Sequence, residues 1–365
     1  MLVKNMRRNC LLGVLCFCSI LGIRGYQTTT PSLPVVINTW PFTVATAEAW
    51  EVLSNGGSVL DAVEQGVSAC EDKQCDGTVG YGGSPDEIGQ TTLDAMIING
   101  DTMEMGSAVD LHEIRQAIST ARLVMEYTNH TIISGHDADA FGVGMGMKAL
   151  GLITNHSISL WKNWRSDNCQ PNYRRGDLVP DPRHSCGPYT RKTRGKNSNV
   201  KGGEVETKPA ESPLGTFGRH NHDTIAMIAI NSKGQVAAGT STNGATHKVP
   251  GRLADSGIPG SGAYADSEVG GCGATGDGDV MMRFVPCYQV VESMRLGLNP
   301  KDAAEDAIRR IRKHYPRFQG ALIAIDKHGN HAGAANCINY FKYSIVSSGH
   351  QDVQVIYVPA FLPCV

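Results

Sequence analysis

Residues 187–219, which include "RKTRGKNSNVKGGEVETKPAESPLGTFGR", hold almost no large apolar side chains, yet they divide two halves that are both rich in them. Such a stretch cannot bury enough surface to offset the entropy of ordering it, so a flexible loop is expected there. Loops of that length inside compact domains are uncommon and tend to be functional or cut. This one leads through His222-Asp223-Thr224 into "TIAMIAI", a turn "NSKG" and "QVAAGTSTNG". Those runs read as an antiparallel hairpin with apolar inner positions. A threonine that opens a strand after such a loop has a chemical use. If the chain breaks before Thr224, one residue gains both a hydroxyl nucleophile and a free α-amino group to serve as its base. The plainer alternative is a loop-to-strand transition with Asp223 capping a turn, and His222 is expected to be solvated rather than a base.

The flanking halves carry regular patterns. "LPVVINTW" (33–40) reads as a strand, and "ATAEAWEVLSNGGSVLDAVEQGVSACE" as two helices broken at Gly56-Gly57. Asn99-Gly100 between two apolar runs predicts a hairpin, and "LHEIRQAISTARLVMEY" is amphipathic at helical period. In "NPKDAAEDAIRRIRKHYP", Asn299 is the expected N-cap, Pro300 opens the first turn and Pro316 stops the helix. "FVPCYQVVESM" reads as a core helix, and "GALIAID", "HAGAAN", "YSIVSS" and "VQVIYV" as strands.

The balance of 41% apolar residues and a net charge of −2 fits one large globular domain or two modest ones and offers nothing for nucleic acid. Lys4, Arg7 and Arg8 precede an apolar run, Cys10 to Ile23, too short to span a bilayer comfortably and right for a signal-peptide core. Residues 1–25 are therefore expected to be removed, with an approximate end point because Ile23-Arg24-Gly25 is a poor cleavage site. No later segment is apolar enough to cross a membrane. Beyond the signal an even set of cysteines remains, as befits a secretory context. Short spacings favour Cys70 with Cys75 and Cys169 with Cys186, Cys364 could tie back at Cys337, and Cys272 and Cys287 could pair or stay free. Sequons at Asn129 and Asn155 agree with that route. No CxxC or HExxH is present, so no metal is expected, and no cofactor or prosthetic group is implied.

Downstream of Thr224 stand "STNG" (241–244), "PGRLADSGIPGSGAYAD" (250–266) and "GGCGATGDGD" (270–279). The last could form a tight turn or phosphate cradle, but it lacks the Lys and Ser/Thr of a P-loop. With "VVINTWPF", "QCDGTVGYGGSPDE", "TTLDAMI", "NCQPNY" and "CGPY" upstream, nearly the whole chain after the signal resembles the glycosylasparaginases of the N-terminal nucleophile hydrolase superfamily. The resemblance implies an α+β, four-layer αββα sandwich and autocatalytic cleavage at Asp223-Thr224. The products would be an α chain of 26–223 and a β chain of 224–365, forming one domain. It further implies that Thr224 attacks the side-chain amide of a glyco-asparagine, with the Thr275 hydroxyl and Gly276 N–H as oxyanion donors. Arg252 and Asp255 would take the α-carboxylate and α-ammonium of this small-molecule substrate. By the same resemblance Thr242 contacts the nucleophile, Gly244 and Trp40 line the pocket, and Thr78 stands where the family more usually has Ser. A lysosomal destination, with secretion as the alternative, and a dimer of αβ units are expected on the same ground. Two other readings compete: an isoaspartyl peptidase or plant-type L-asparaginase, and a non-enzymatic secreted glycoprotein of the same fold.

Overall fold

A computed structural model describes residues 33–192, 224–361 and 364. The expected signal segment, residues 193–219 of the expected loop, His222 and Asp223 lie outside the described residues. The first part of that loop is not featureless. Thr190–Arg191 forms a short strand, β6, paired with β5 (Leu178–Val179).

Eight strands form one sheet in the order β14-β13-β1-β7-β8-β2-β3-β4. They are β1 (Val35–Thr39), β2 (Leu93–Asn99), β3 (Met105–Leu111), β4 (Ile132–Ser134), β7 (Ile225–Ile230), β8 (Val236–Thr242), β13 (Lys342–Ser347) and β14 (His350–Tyr357). A second sheet has the order β15-β12-β11-β10-β9, with β9 (Ala263–Asp266), β10 (Gly270–Gly276), β11 (Gly320–Asp326), β12 (His331–Asn336) and β15 (Ala360–Phe361). Helices α1 (Thr43–Ser54), α2 (Val59–Lys73) and α3 (Ala117–Tyr127) cover the first sheet, and α7 (Pro286–Arg295) and α8 (Pro300–His314) cover the second. Between these layers the sheets face each other, β10 against β7 and β8, and β9 against β8 and β2. The fold is α+β with helices outside and two sheets inside, as the resemblance implied. Three further helices, α4 (Gly135–Gly144), α5 (Asn155–Ser166) and the short α6 (Gly278–Met281), complete it.

β1, β7 and β8 are buried at every position, so "VVINT", "IAMIAI" and "VAAGTST" run without a solvent face. Opposite them β10 is made of small residues because the second sheet comes close. A methyl on Gly271 would lie 2.9 Å from Ile228 Cγ2, and one on Gly273 2.7 Å from Ala226 Cβ. This corrects the turn or cradle considered for "GGCGATGDGD": its first seven residues are a central strand.

The other expected helices and hairpins form with local adjustments. The Asn99-Gly100 hairpin pairs β2 with β3 but closes through five residues, 100–104, since Gly100 N–H is drawn to Val236 O at 2.8 Å. Helix α3 starts only at Ala117, because the Asp139 carboxylate accepts the N–H groups of His112, Glu113 and Ile114 and holds them out of helical register. In α8 the Asn299 side chain accepts from Asp302 N–H at 3.0 Å, while Ala303, Ala304, Ala307, Ile308 and Ile311 face the core. The cysteines pair as Cys70–Cys75, Cys169–Cys186 and Cys337–Cys364, and the pair left open closes as Cys272–Cys287, tying β10 to α7.

Candidate active site

Thr224 sits at the mouth of the central hairpin, immediately before β7, and is 5% exposed. Its surroundings come from both sheets. Thr39, at the end of β1, donates its hydroxyl to Thr224 O at 2.7 Å and accepts Ala226 N–H at 2.9 Å, so one side chain spans the strand's first turn of pleat. From the facing sheet, Thr275 Oγ1 accepts Thr224 N–H at 3.2 Å. The same oxygen accepts the indole N–H of Trp40 at 2.9 Å. Trp40 reaches across the two sheets because its backbone is left-handed (φ 63°), with its carbonyl accepting from Ser344 Oγ and its ring edge-on to Phe341. Ser256 Oγ lies 3.5 Å from Thr224 Oγ1, and Thr240 Oγ1 donates to the Ser256 carbonyl.

Ser256 leads to a second group of residues, since its neighbour is Asp255. The Asp255 carboxylate is 2% exposed, and its Oδ2 has no partner among the described residues. Burial pushes this acid up to about 7, against the pull of Arg252, while Asp279 and Asp277 push it further. A methyl on Gly278 would lie 2.5 Å from Asp255 Oδ1, so a larger residue there would displace that carboxylate. Arg252 donates two ways to Asp279, Nη2 at 2.9 Å and Nε at 3.2 Å, but its buried Nη1 has no partner among the described residues. Burial works against the charge of Arg252, and Asp279, with Tyr173 and Asp94, more than offsets it. A buried donor and a buried acceptor thus stand open beside the Thr224 cluster. In a folded protein such groups are normally satisfied, and their exceptions invite a ligand.

The turn after β8 supplies the floor. Gly244 is left-handed (φ 71°), and a methyl on it would come within 3.2 Å of Arg252 Nη1. Its N–H donates to Thr242 Oγ1 at 3.0 Å. Thr242 follows Ser241, the register partner of Ile225, and so lies across the hairpin from Thr224. Asn243 ties this turn to the segment bearing Thr78, giving its N–H to Thr78 O and its side-chain amide to Gly77 O and Gly80 O. The Thr78 hydroxyl is buried with no partner among the described residues. Gly276, whose φ of 123° suits only glycine, ends β10 beside Thr275.

Every described residue singled out from the sequence for chemistry therefore falls in one connected region. Sequence reasoning missed Thr39, Ser256, Asp279 and Tyr173. Ser256 and Asp279 stood inside the quoted runs "ADSG" and "GDGD", and Thr39 inside "INTW", where signals were available. The Tyr173 hydroxyl is buried without a partner among the described residues, near the charges of Arg252 and Asp279. At the far end of the hairpin, an open depression lined by Gly100, Asp101, Lys233, Gln235 and Ser267 contains none of these groups.

The model of the asparaginase family designated Asparaginase_2 matches residues 19–355. An Arabidopsis thaliana protein named "Probable isoaspartyl peptidase/L-asparaginase 3" is 47% identical over 355 residues, covering 94% of this chain and 96% of that protein. The N(4)-(beta-N-acetylglucosaminyl)-L-asparaginase of Rattus norvegicus is 46% identical over 336 residues, covering 91% and 93%. The Mus musculus protein of the same name is 45% identical over 350 residues, covering 95% and 97%.

Proposed function

The chain belongs to the Asparaginase_2 family of N-terminal nucleophile hydrolases, and from that premise we propose that it hydrolyses the N4-(β-N-acetylglucosaminyl)-L-asparagine bond with Thr224 as nucleophile. In this reading Thr224 Oγ attacks the peptide carbonyl of Asp223, the C–N bond breaks to free the Thr224 amine as an ester forms on Oγ, and water hydrolyses that ester to an Asp223 carboxylate and a free Thr224 hydroxyl. The two chains, residues 26–223 and 224–365, stay together as one domain. The freed Thr224 amine then takes the hydroxyl proton as Oγ adds to the substrate's side-chain carbonyl. That proton passes to the departing glycosylamine, and water cleaves the β-aspartyl ester.

The observation that carries the reading is the hydrogen bonding at Thr275. A hydroxyl has one hydrogen to give and two lone pairs to fill. Both lone pairs of Thr275 Oγ1 are engaged, by Trp40 Nε1 and by Thr224 N. Its hydrogen is left to point at something else, and an oxyanion formed by attack of the adjacent Thr224 is such an acceptor. Gly276 N–H is the second donor. The open Arg252 Nη1 and Asp255 Oδ2 complement the α-carboxylate and α-ammonium of an amino-acid substrate. Gly244, Thr78 and Trp40 line the place between.

Chain-start analysis tests the nucleophile. Mature protein is expected to contain a chain beginning at Thr224, and Thr224→Ala to remain one chain. Two chains in the Ala variant would mean cutting by a foreign protease and would refute self-cleavage. The name carried by the Arabidopsis relative favours a second reading, an isoaspartyl peptidase or L-asparaginase. Relative turnover of glyco-asparagine and a β-aspartyl dipeptide decides between them. The exposed Asn129 and Asn155 and the four disulfides suit a secretory route. Our reading places the enzyme in the lysosome, as a dimer of αβ units.

A further inference from the structure

Lys248 is among the largest side chains that are fully buried in the described residues, at 1% exposure, and the chemistry above gives it no task. Among the described residues its ammonium makes one hydrogen bond, to Asn243 O at 2.7 Å, and has no carboxylate within ion-pair distance. Three N–H donors on a buried cation with a single partner are costly to keep. Its setting suggests what repays that cost. The point where a methyl on Gly244 would sit is 3.3 Å from Lys248 Nζ and 3.2 Å from the open Arg252 Nη1, so both cationic nitrogens flank one place. Two like charges so close repel unless an anion joins them.

The neighbouring charges sharpen the point. Arg252 already shares its guanidinium with Asp279 through Nε and Nη2. Asp94 is buried, its two oxygens held by Asp110 N–H and Ala254 N–H, and Asp86, Asp110, Asp255 and Asp277 stand nearby. Acidic side chains outnumber basic ones here, and Arg252 alone, with two of its nitrogens already given to Asp279, is a poor lure for one more carboxylate. We infer that Lys248 is a specificity-determining residue whose buried charge, beside Arg252, supplies the positive potential for the substrate's α-carboxylate. The inference rests on the reading that Arg252 receives that carboxylate. Burial lowers Lys248 to about 8 while Asp94 holds it up, so the ammonium form prevails at neutral pH and below.

The experiment compares two substrates, free glyco-asparagine and the same compound with its α-carboxylate as the carboxamide, on the mature two-chain enzyme. Wild type should favour the carboxylate strongly in KM. Lys248→Met should raise KM for the carboxylate by about tenfold or more, leave kcat within about threefold, and leave KM for the carboxamide unchanged, closing the gap. Lys248→Gln, which keeps a donor for Asn243 O without the charge, should behave like Met. If wild type shows no preference, the assignment of Arg252 to the carboxylate fails first. If wild type prefers the carboxylate but either variant keeps the gap, the Lys248 inference is overturned. Equal damage to both substrates, or failure of both variants to give folded protein, would assign Lys248 to the core instead and overturn it too.

Discussion

At the scale of single residues, the site depends on where one hydrogen points. Trp40 Nε1 and Thr224 N fill the lone pairs of Thr275 Oγ1, and this leaves the Thr275 proton free for a developing negative charge. Thr275→Val keeps the shape of the side chain and removes that proton. We expect kcat on glyco-asparagine to fall by about 10²–10³ with KM little changed, since an oxyanion donor acts in the transition state. Steady-state kinetics on purified enzyme decide this, and a loss confined to KM would show that Thr275 binds ground-state substrate. The sequence made Thr275, Arg252 and Asp255 legible because they lie in dense motifs. Lys248 was not legible, because a lone lysine in "THKVPGR" looks like any solvated cation until the fold closes over it.

Among the elements, β10 shows how packing controls chemistry. Its glycines let the second sheet approach the hairpin that begins at Thr224, and Gly273 would place any side chain 2.7 Å from Ala226 Cβ, two residues from Thr224. Gly273→Val should cost about 1–3 kcal/mol of stability, the usual range for an overfilled core. It should also lower kcat, because pushing β10 outward carries Thr275 away from Thr224. Thermal unfolding together with kcat tests both halves, and a destabilised variant of unchanged kcat would show that the sheets shift without moving Thr275. Helix α8, with its cap and buried stripe, was readable from sequence alone. β10 was not, because glycine-rich strings are as common in turns as in close-packed strands.

For the molecule as a whole, buried acids set the response to pH. Glu71 on α2 accepts from Ser241 Oγ and Ile118 N–H with one oxygen, while Oε2 has no partner among the described residues, and burial pushes the acid up to about 8. An unfolded glutamate titrates near 4.5, so the folded state binds the extra proton between those values. The stabilisation is complete below the unfolded value and is lost as pH rises through the folded one. Asp255 and Asp277 lean the same way, at about 7 and about 6, whereas His247, lowered to about 4, acts oppositely on the acid side. Between pH 7 and 8 Glu71 dominates this set, so the melting temperature should fall across that window, and Glu71→Gln should flatten the fall. An unchanged slope in the variant would assign the pH response to other groups. By itself the sequence determined the periodic elements, the even cysteine set and the ordered motifs of the family, because period, spacing and residue type are local properties. The tertiary structure decided the rest: that Trp40 from one sheet meets Thr275 from the other, that Cys272 pairs with Cys287, and that Lys248 is sealed beside Arg252. Burial, hydrogen-bond partners and electrostatic neighbours arise only when distant segments are brought together, and no local pattern encodes them.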